Sequence, residues 1–404
     1  MSRYDMIPVD EALAIVRSVV RPLAAERVPT AEADGRVLAE AIRSPENVPP
    51  FRASTVDGFA VRAEDQTPAR RVVQRIMAGT VAEPSVEPGT AARIMTGAPL
   101  PEGADAVVMI EYTHEEDSHV FLEQPVRAGE NIRPIGIDVA EGDLTLERGT
   151  VLGAAEIGLL MTLGLTEVSC YRRPTVAVLS TGDELVEPSE PLPPGGIRDS
   201  NRSAIMAAVR EAGGVPLSLG RAKDDRELQT RLVREGVQRA DVLLTSGGVS
   251  VGDRDFIKPA LEELGKVHFG RIAFRPGMPL TFAEIGDRLA FGLPGNPVSS
   301  LVTFEVFVRP ALRILQGDPN PLRPRVEVEL EHDFQRGGNR LEYHRVLVRW
   351  ENGKLLARST GLQLSSRLLS MAGHNGLVII EMGDGTIHAG ERRPAILTGP
   401  IATE

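Results

Sequence analysis

Three short loops, each following an apolar run of strand texture, carry the residues of this chain best suited to chemistry: Thr181-Gly-Asp-Glu184, Ser246-Gly-Gly-Val-Ser-Val-Gly-Asp-Arg-Asp255 and Leu293-Pro-Gly-Asn-Pro-Val-Ser-Ser300. Glycines let backbone N–H groups close on an anion, and the carboxylates Asp183, Glu184, Asp253 and Asp255 stand in the same loops. A carboxylate about 4 Å from a phosphate oxygen is repelled by roughly 4 kcal/mol at an effective dielectric of about 20. Such loops therefore suit a phosphorylated ligand only with a divalent cation between the charges, and Mg²⁺ takes one or two carboxylates, phosphate oxygens and waters. Any one loop is equally well a solvated Asp-Gly turn. Three of them at strand ends weigh against that reading.

Gly248-Val-Ser-Val-Gly252 also matches the G-x-S-x-G elbow that presents a nucleophilic serine, and the later His268, His332, His344 and His374 could serve as its base. An elbow opens directly into a helix, however, whereas Gly252-Asp-Arg-Asp prolongs a polar loop, so Ser250 suits an anion loop better. Pro294 and Pro297 stiffen the approach to a helix whose first turn holds Ser299 and Ser300, a seat for an oxyanion or simply a capped helix. G-x-x-x-x-G-K-[ST] is absent, which excludes a P-loop nucleotidase. Two further segments, Ser54-Thr-Val-Asp-Gly-Phe-Ala60 and Arg93-Ile-Met-Thr-Gly-Ala-Pro99, set Asp57 and Thr96 beside a glycine. In the tail, Arg340 to Arg345 and Ser365-Ser-Arg367 group arginines with hydroxyls, a texture that a solvated surface also shows.

The elements that must position these residues follow from periodicity. Apolar strands at 175–180, 215–219 and 241–245 alternate with helices at 200–212, 226–239, 256–264 and 299–315, the pattern of a parallel sheet covered on both faces, whose strand-end loops share one crevice. An amphipathic helix is expected over 8–27. Between 45 and 137 short β-like runs such as 71–76, 106–110 and 119–122 are punctuated by proline and glycine, and a helical run at 153–163 then makes the β-rich part an insertion. From 323 the texture is again β, with runs at 325–330, 345–350 and 377–381.

Composition narrows the function classes. The 404 residues are 42% hydrophobic and 25% charged, globular values for two to four domains. A formal charge of −11 argues against general affinity for nucleic acid or anionic membrane. The one cysteine, Cys170, excludes an intrachain disulfide and a multi-cysteine metal site. With no apolar stretch of about 18 residues and no signal-type core at the start, a cytoplasmic protein is expected. Of the 45 basic residues 41 are arginine, a good fork for oxyanions, although a GC-rich genome explains that bias as well.

Taken together and in order, STVDGFA at 54–60, MTGAPLP at 95–101, GENIRPIGIDV at 129–139, STGDEL at 180–185, SGGVSVGDRDF at 246–256, GLPGNPVSS at 292–300 and SSRLLSM at 365–371 resemble the molybdopterin molybdenumtransferase (MoeA) family, which includes the gephyrin E domain. The resemblance implies insertion of molybdate into adenylylated molybdopterin with Mg²⁺ or a similar cation and release of AMP. It implies an α/β multidomain fold: a central doubly wound, mostly parallel molybdopterin-binding domain (174–320), an inserted β-rich domain (45–140), an elongated N-terminal region (1–44 plus 141–173) and a C-terminal β-barrel-like domain (321–404). Homodimers are usual in the family, which would bring Asp57 and Thr96 to the loops of the other copy, and an adenylyltransferase would supply the substrate. Carried over by motif, Glu184, Asp224 and Asp255 would serve the metal and the phosphoanhydride, with Asp57 and Thr96 completing the catalytic set. Gly247, Gly248, Ser250, Pro294 and Pro297 would shape the pterin phosphate seat, and Arg275, Ser299, Arg340 and Ser365 would meet molybdate. Eukaryotic relatives often show K-P-G-K-P where this chain has Arg275-Pro-Gly-Met-Pro279, so Met278 is expected to weaken molybdate binding or to redirect it. A non-catalytic cofactor carrier or scaffold is the alternative from another class, and a Ser250 hydrolase on the same central domain is a third.

Overall fold

The computed structural model describes residues 4–77, 79, 83–249 and 256–403. Two compact units result, one of Met1–Val28, Gly35–Ala39 and Ser169–Glu404, the other of Pro29–Asp34 and Glu40–Val168. The second is thus spliced into the first. Among the described residues no helix is long and apolar enough to cross a membrane.

The larger unit opens with helix α1 (Val9–Val19), which buries Val9, Ala12 and Val16. It is shorter than the 8–27 expected: Val20 already has ψ 134°, because Pro22 disfavours a helical conformation at the residue before it and ends the helix early. A six-stranded sheet follows, built from β1 (Thr175–Thr181), β2 (Val215–Ala222), β3 (Val242–Ser246), β4 (Lys266–Phe269), β5 (Thr281–Ile285) and β6 (Arg288–Leu293), in the order β2-β1-β3-β6-β5-β4. The pairs β1–β2, β1–β3 and β3–β6 are parallel. The far edge makes the sheet mostly rather than wholly parallel, as expected, since the turn at Gly286, φ +61°, folds β5 back antiparallel on β6 and β4 pairs antiparallel with β5.

Alternate residues of these strands go to opposite faces, as the two-residue period requires. Val176, Val178, Val242 and Leu244 share one core with α1, α2 (Ser200–Glu211) and the helical run from Pro297, while Ala177, Leu179 and Leu243 share another with α3 (Arg226–Arg239) and α4 (Ile257–Leu264). The last run is not the single α-helix expected over 299–315. It consists of α5 (Pro297–Thr303), a π-helical turn (Phe304–Val308) and α6 (Arg309–Leu315). Pro310 lacks the N–H that an α-helix would need there, and its ring would crowd the carbonyl four residues back, so the wider turn precedes it.

Strands β7 (Arg325–Leu330), β8 (Leu341–Glu351), β9 (Lys354–Ser359), β10 (Gly376–Ile380) and β11 (Arg392–Leu397) close on themselves in the order β8-β9-β7-β11-β10-β8, a five-stranded barrel filled by Val328, Leu330, Val346, Val348, Val378 and Ile380. A short strand, Phe274–Arg275, joins the barrel by pairing with Leu341 and Glu342. In the smaller unit six strands run in the order 106–109, 58–61, 90–94, 69–76, 119–122, 113–116, and a helix spans Ala154–Thr162. Gly58 is required in this sheet, because a Cβ there would lie 1.9 Å from the Val108 carbonyl oxygen.

Candidate active site

The registers Ser180 with Ser246 and Ser246 with Leu293 bring the carboxyl ends of β1, β3 and β6 level, so the three loops leave the sheet side by side. They enclose a cleft of about 540 Å³ at the point where the strand order turns outward from β1 in both directions. Glycines of all three loops contribute to its wall. Gly182 has φ +147°, and a Cβ on it would sit 2.6 Å from Glu184 Oε2, so glycine is what lets that carboxylate fold over its own loop. Gly247 and Gly248 are left-handed at +92° and +69°, and the Gly247 N–H donates to Leu293 O at 3.0 Å, tying the second loop to the third.

Two residues that the motifs did not single out organise this end of the sheet. Asp199, 1% exposed, caps α2 by accepting from the Arg202 N–H at 3.1 Å and also accepts the Ser180 hydroxyl at 2.9 Å. Asn201, in the first turn of α2, donates from Nδ2 to Ser246 Oγ and to Gly295 O, both at 2.7 Å, and so clamps the second and third loops. A capping Asp before a helix is visible in sequence. The Asn201 contacts depend on folding alone.

Of the predicted site residues, Glu184, Asp224, Gly247, Gly248, Pro294 and Pro297 line the cleft. Ser250, Asp253 and Asp255 lie outside the described residues. Asp183 Oδ1 accepts the Asp224 N–H at 3.1 Å, which fixes the backbone beside that carboxylate. Among the described residues no group of three or more His, Cys, Asp or Glu is gathered for a metal; the described cleft wall supplies the carboxylates Glu184, Asp224 and Asp199, the last already engaged by Ser180 and Arg202. Ser299 is only 4% exposed and lies outside the cleft wall, and the neighbouring Ser300 hydroxyl donates to Pro294 O, so both serines serve the packing of α5.

Ser365 reaches the cleft's edge, where Asn296 Nδ2 donates to its Oγ at 3.2 Å and its carbonyl accepts the Val298 N–H at 3.1 Å. The loop bearing it is pinned by Arg345, a guanidinium only 1% exposed, which donates to Ser370 Oγ at 3.1 and 3.2 Å and to Leu364 O at 3.2 Å. Burial pushes Arg345 down to about 10. Arg340 points at Met278, with Nη1 3.9 Å from Sδ, and Arg271 Nη2 approaches the same sulfur at 3.7 Å. Next to it, Pro279 lines the cleft. Arg275 opens on a separate cavity of about 260 Å³, where Nη1 donates to Glu342 Oε1 at 2.7 Å.

Asp57 and Thr96 belong to the smaller unit, where the two motifs meet. The Thr96 N–H and hydroxyl donate to Asp57 Oδ1 at 2.7 and 2.8 Å, and these bonds, the backbone one foremost, hold the exposed carboxyl below the ordinary aspartate range.

Family models for the MoeA N-terminal region (domain I and II), a probable molybdopterin binding domain and the MoeA C-terminal region (domain IV) match residues 7–164, 177–314 and 327–397. A molybdopterin molybdenumtransferase of Bacillus subtilis is 40% identical over 409 residues, covering 98% of this chain and 95% of that protein. The chain belongs to the MoeA family. A MoeA-family relative named gephyrin, from Dictyostelium discoideum, is 37% identical across 99% of this chain but only 63% of its own length. The solved molybdopterin biosynthesis MoeA protein of Pyrococcus horikoshii superposes with a TM-score of 0.85 at 33% identity, covering 98% of this chain and all of that one. The α/β architecture with a terminal barrel is thus that of MoeA proteins.

Proposed function

We propose that this protein is a cytoplasmic molybdopterin molybdenumtransferase, which takes adenylylated molybdopterin, inserts molybdate into its dithiolene and releases AMP. The observation that carries the reading is the glycine-walled cleft at the carboxyl ends of β1, β3 and β6, rimmed by Glu184 and Asp224. It offers backbone to a phosphate and carboxylates to a cation, and full-length relatives named as this enzyme support it. Intact motifs around Asp57, Thr96, Glu184 and Asp255 favour chemistry over the carrier or scaffold alternative.

Hard oxygen donors from two carboxylates fit Mg²⁺, which shares such sites with phosphate oxygens and water. Glu184 and Asp224, joined by Asp255, would hold it, and it would supply charge neutralisation at the phosphoanhydride. The chain's own part is positioning. The Gly247-Gly248 backbone seats the pterin phosphate, Pro294 and Pro297 keep that wall rigid, and Arg275, Arg340 and Ser365 receive molybdate, a tetrahedral dianion that needs cationic and hydroxyl donors. We further propose a homodimer in which the Asp57–Thr96 pair of one copy completes the cleft of the other, and supply of substrate by an adenylyltransferase. The test is AMP release from adenylylated molybdopterin with Mg²⁺, with and without molybdate, in the parent protein and Asp255→Ala. Molybdate-stimulated release that the variant loses is expected, and no release in either condition would refute the assignment.

A further inference from the structure

The cavity beside Arg275 holds a carboxylate with a structure more elaborate than an ion pair needs. Arg275 and Glu342 are register partners on adjacent parallel strands, and Nη1 meets Oε1 at 2.7 Å. Two residues on, and therefore on the same face of β8, His344 Nε2 lies 2.7 Å from Glu342 Oε2. The Glu342 side chain is 7% exposed and that of His344 11%, whereas Arg275 is 55% exposed. Gly337 closes the other side so tightly that a Cβ on it would lie 1.6 Å from Glu342 Oε1. Burial pushes the Glu342 carboxyl up, but the His344 and Arg275 hydrogen bonds outweigh it and hold it below the usual glutamate range. An ionised carboxylate only accepts, so Nε2 of His344 donates to it, and the buried Nδ1 has no hydrogen-bond partner among the described residues.

A buried, doubly bonded carboxylate gripping one edge of an exposed guanidinium fixes the direction in which the remaining N–H groups point. We propose that Glu342 and His344 are positioning residues: His344 orients Glu342, and Glu342 holds Arg275 with its free edge presented to the incoming oxyanion. This rests on the reading of Arg275 as a molybdate contact. A carboxylate so close also cancels part of the arginine's charge, and the two roles have opposite signs. If Glu342 merely neutralises, removing its charge tightens oxyanion binding; if it positions, removing it weakens binding.

The experiment measures AMP release by the full chain against molybdate concentration for the parent protein, Arg275→Ala, Glu342→Gln, His344→Phe and His344→Gln, with thermal melts to confirm that each folds. Arg275→Ala is expected to raise the half-saturating molybdate. Glu342→Gln and His344→Phe are expected to raise it roughly threefold to tenfold, the net worth of about one ordinary hydrogen bond, with kcat close to that of the parent. His344→Gln, which keeps a donor toward Glu342, should restore much of the affinity. Unchanged or tighter molybdate binding in Glu342→Gln, while Arg275→Ala weakens it, would overturn the positioning role. No effect in Arg275→Ala would instead refute the underlying assignment of that arginine.

Discussion

Asn201 tests whether the cleft is a rigid structure or two loops that happen to lie together. Its amide makes two 2.7 Å bonds, to the buried Ser246 hydroxyl and to the Gly295 carbonyl. Each is worth a net 0.5–1.5 kcal/mol or so, and with Ser246 Oγ losing its donor the clamp contributes about 1–3 kcal/mol. If that energy holds the loops in the binding conformation, Asn201→Ala should raise the half-saturating adenylylated molybdopterin by roughly fivefold to a hundredfold, about 1.4 kcal/mol per factor of ten. Asn201→Asp is the sharper variant. A carboxylate can still accept the Ser246 hydroxyl but turns an oxygen toward Gly295 O where a donor stood, so it should bind no better than the alanine variant. The assay is AMP release against substrate concentration, with a melt of each variant as a control for folding. Parent-like half-saturation in Asn201→Asp would refute the clamp.

Other consequences are equally direct. Gly182→Ala places a Cβ 2.6 Å from Glu184 Oε2 at a left-handed φ, so it should displace that carboxylate and abolish most AMP release with little change in far-UV circular dichroism; full activity would show that Glu184 is not held there. Met278→Lys, which supplies the second cation that eukaryotic relatives often carry, would meet the guanidiniums of Arg271 and Arg340; at about 4 Å each opposes an ammonium by roughly 4 kcal/mol at a dielectric of about 20 before the side chain swings away. We expect a lower melting temperature and no gain in molybdate affinity, and a tighter half-saturation at an unchanged melting temperature would contradict this. Burial pushes Asp65 up, but the Thr67 hydroxyl, the Gly89 and Thr67 N–H groups and Arg70 together bring it down to about 2. Because the folded value is depressed, its stabilisation of the smaller unit, roughly 2–3 kcal/mol, is complete above the ordinary aspartate value and is lost as pH falls from about 4 toward 2. Denaturation followed across that range should show a slope that Asp65→Asn flattens, and equal slopes would refute it.

Where sequence reading succeeded, one physical signal dominated. Runs such as Val176 to Leu179 and Val242 to Leu244 are apolar on both sides because both faces of the sheet are covered, and the loops after them then have to share one end. Helix α3 begins where read because Asp225 caps it, accepting the Leu228 N–H at 2.7 Å. The misses came from effects with no local trace. Pro22 and Pro310 were visible, but whether a proline ends a helix or widens it depends on what packs around it. Asn201, Arg345 and Glu342 act on partners up to 94 residues away, so their type was legible and their role was not. Ser299 misled because a serine at the start of a helix suits a ligand and a packed core alike.

The splice of the smaller unit into the larger one bears on biogenesis. Residues 40–168 are contiguous and can collapse as soon as they leave the ribosome, whereas α1 belongs to a core completed by α6, and Leu23 donates its N–H to Leu315 O. At about 5–20 residues per second the first helix waits on the order of 15–60 s for the last. For that interval the apolar face of Val9, Ala12 and Val16 has no native cover and is open to non-native association.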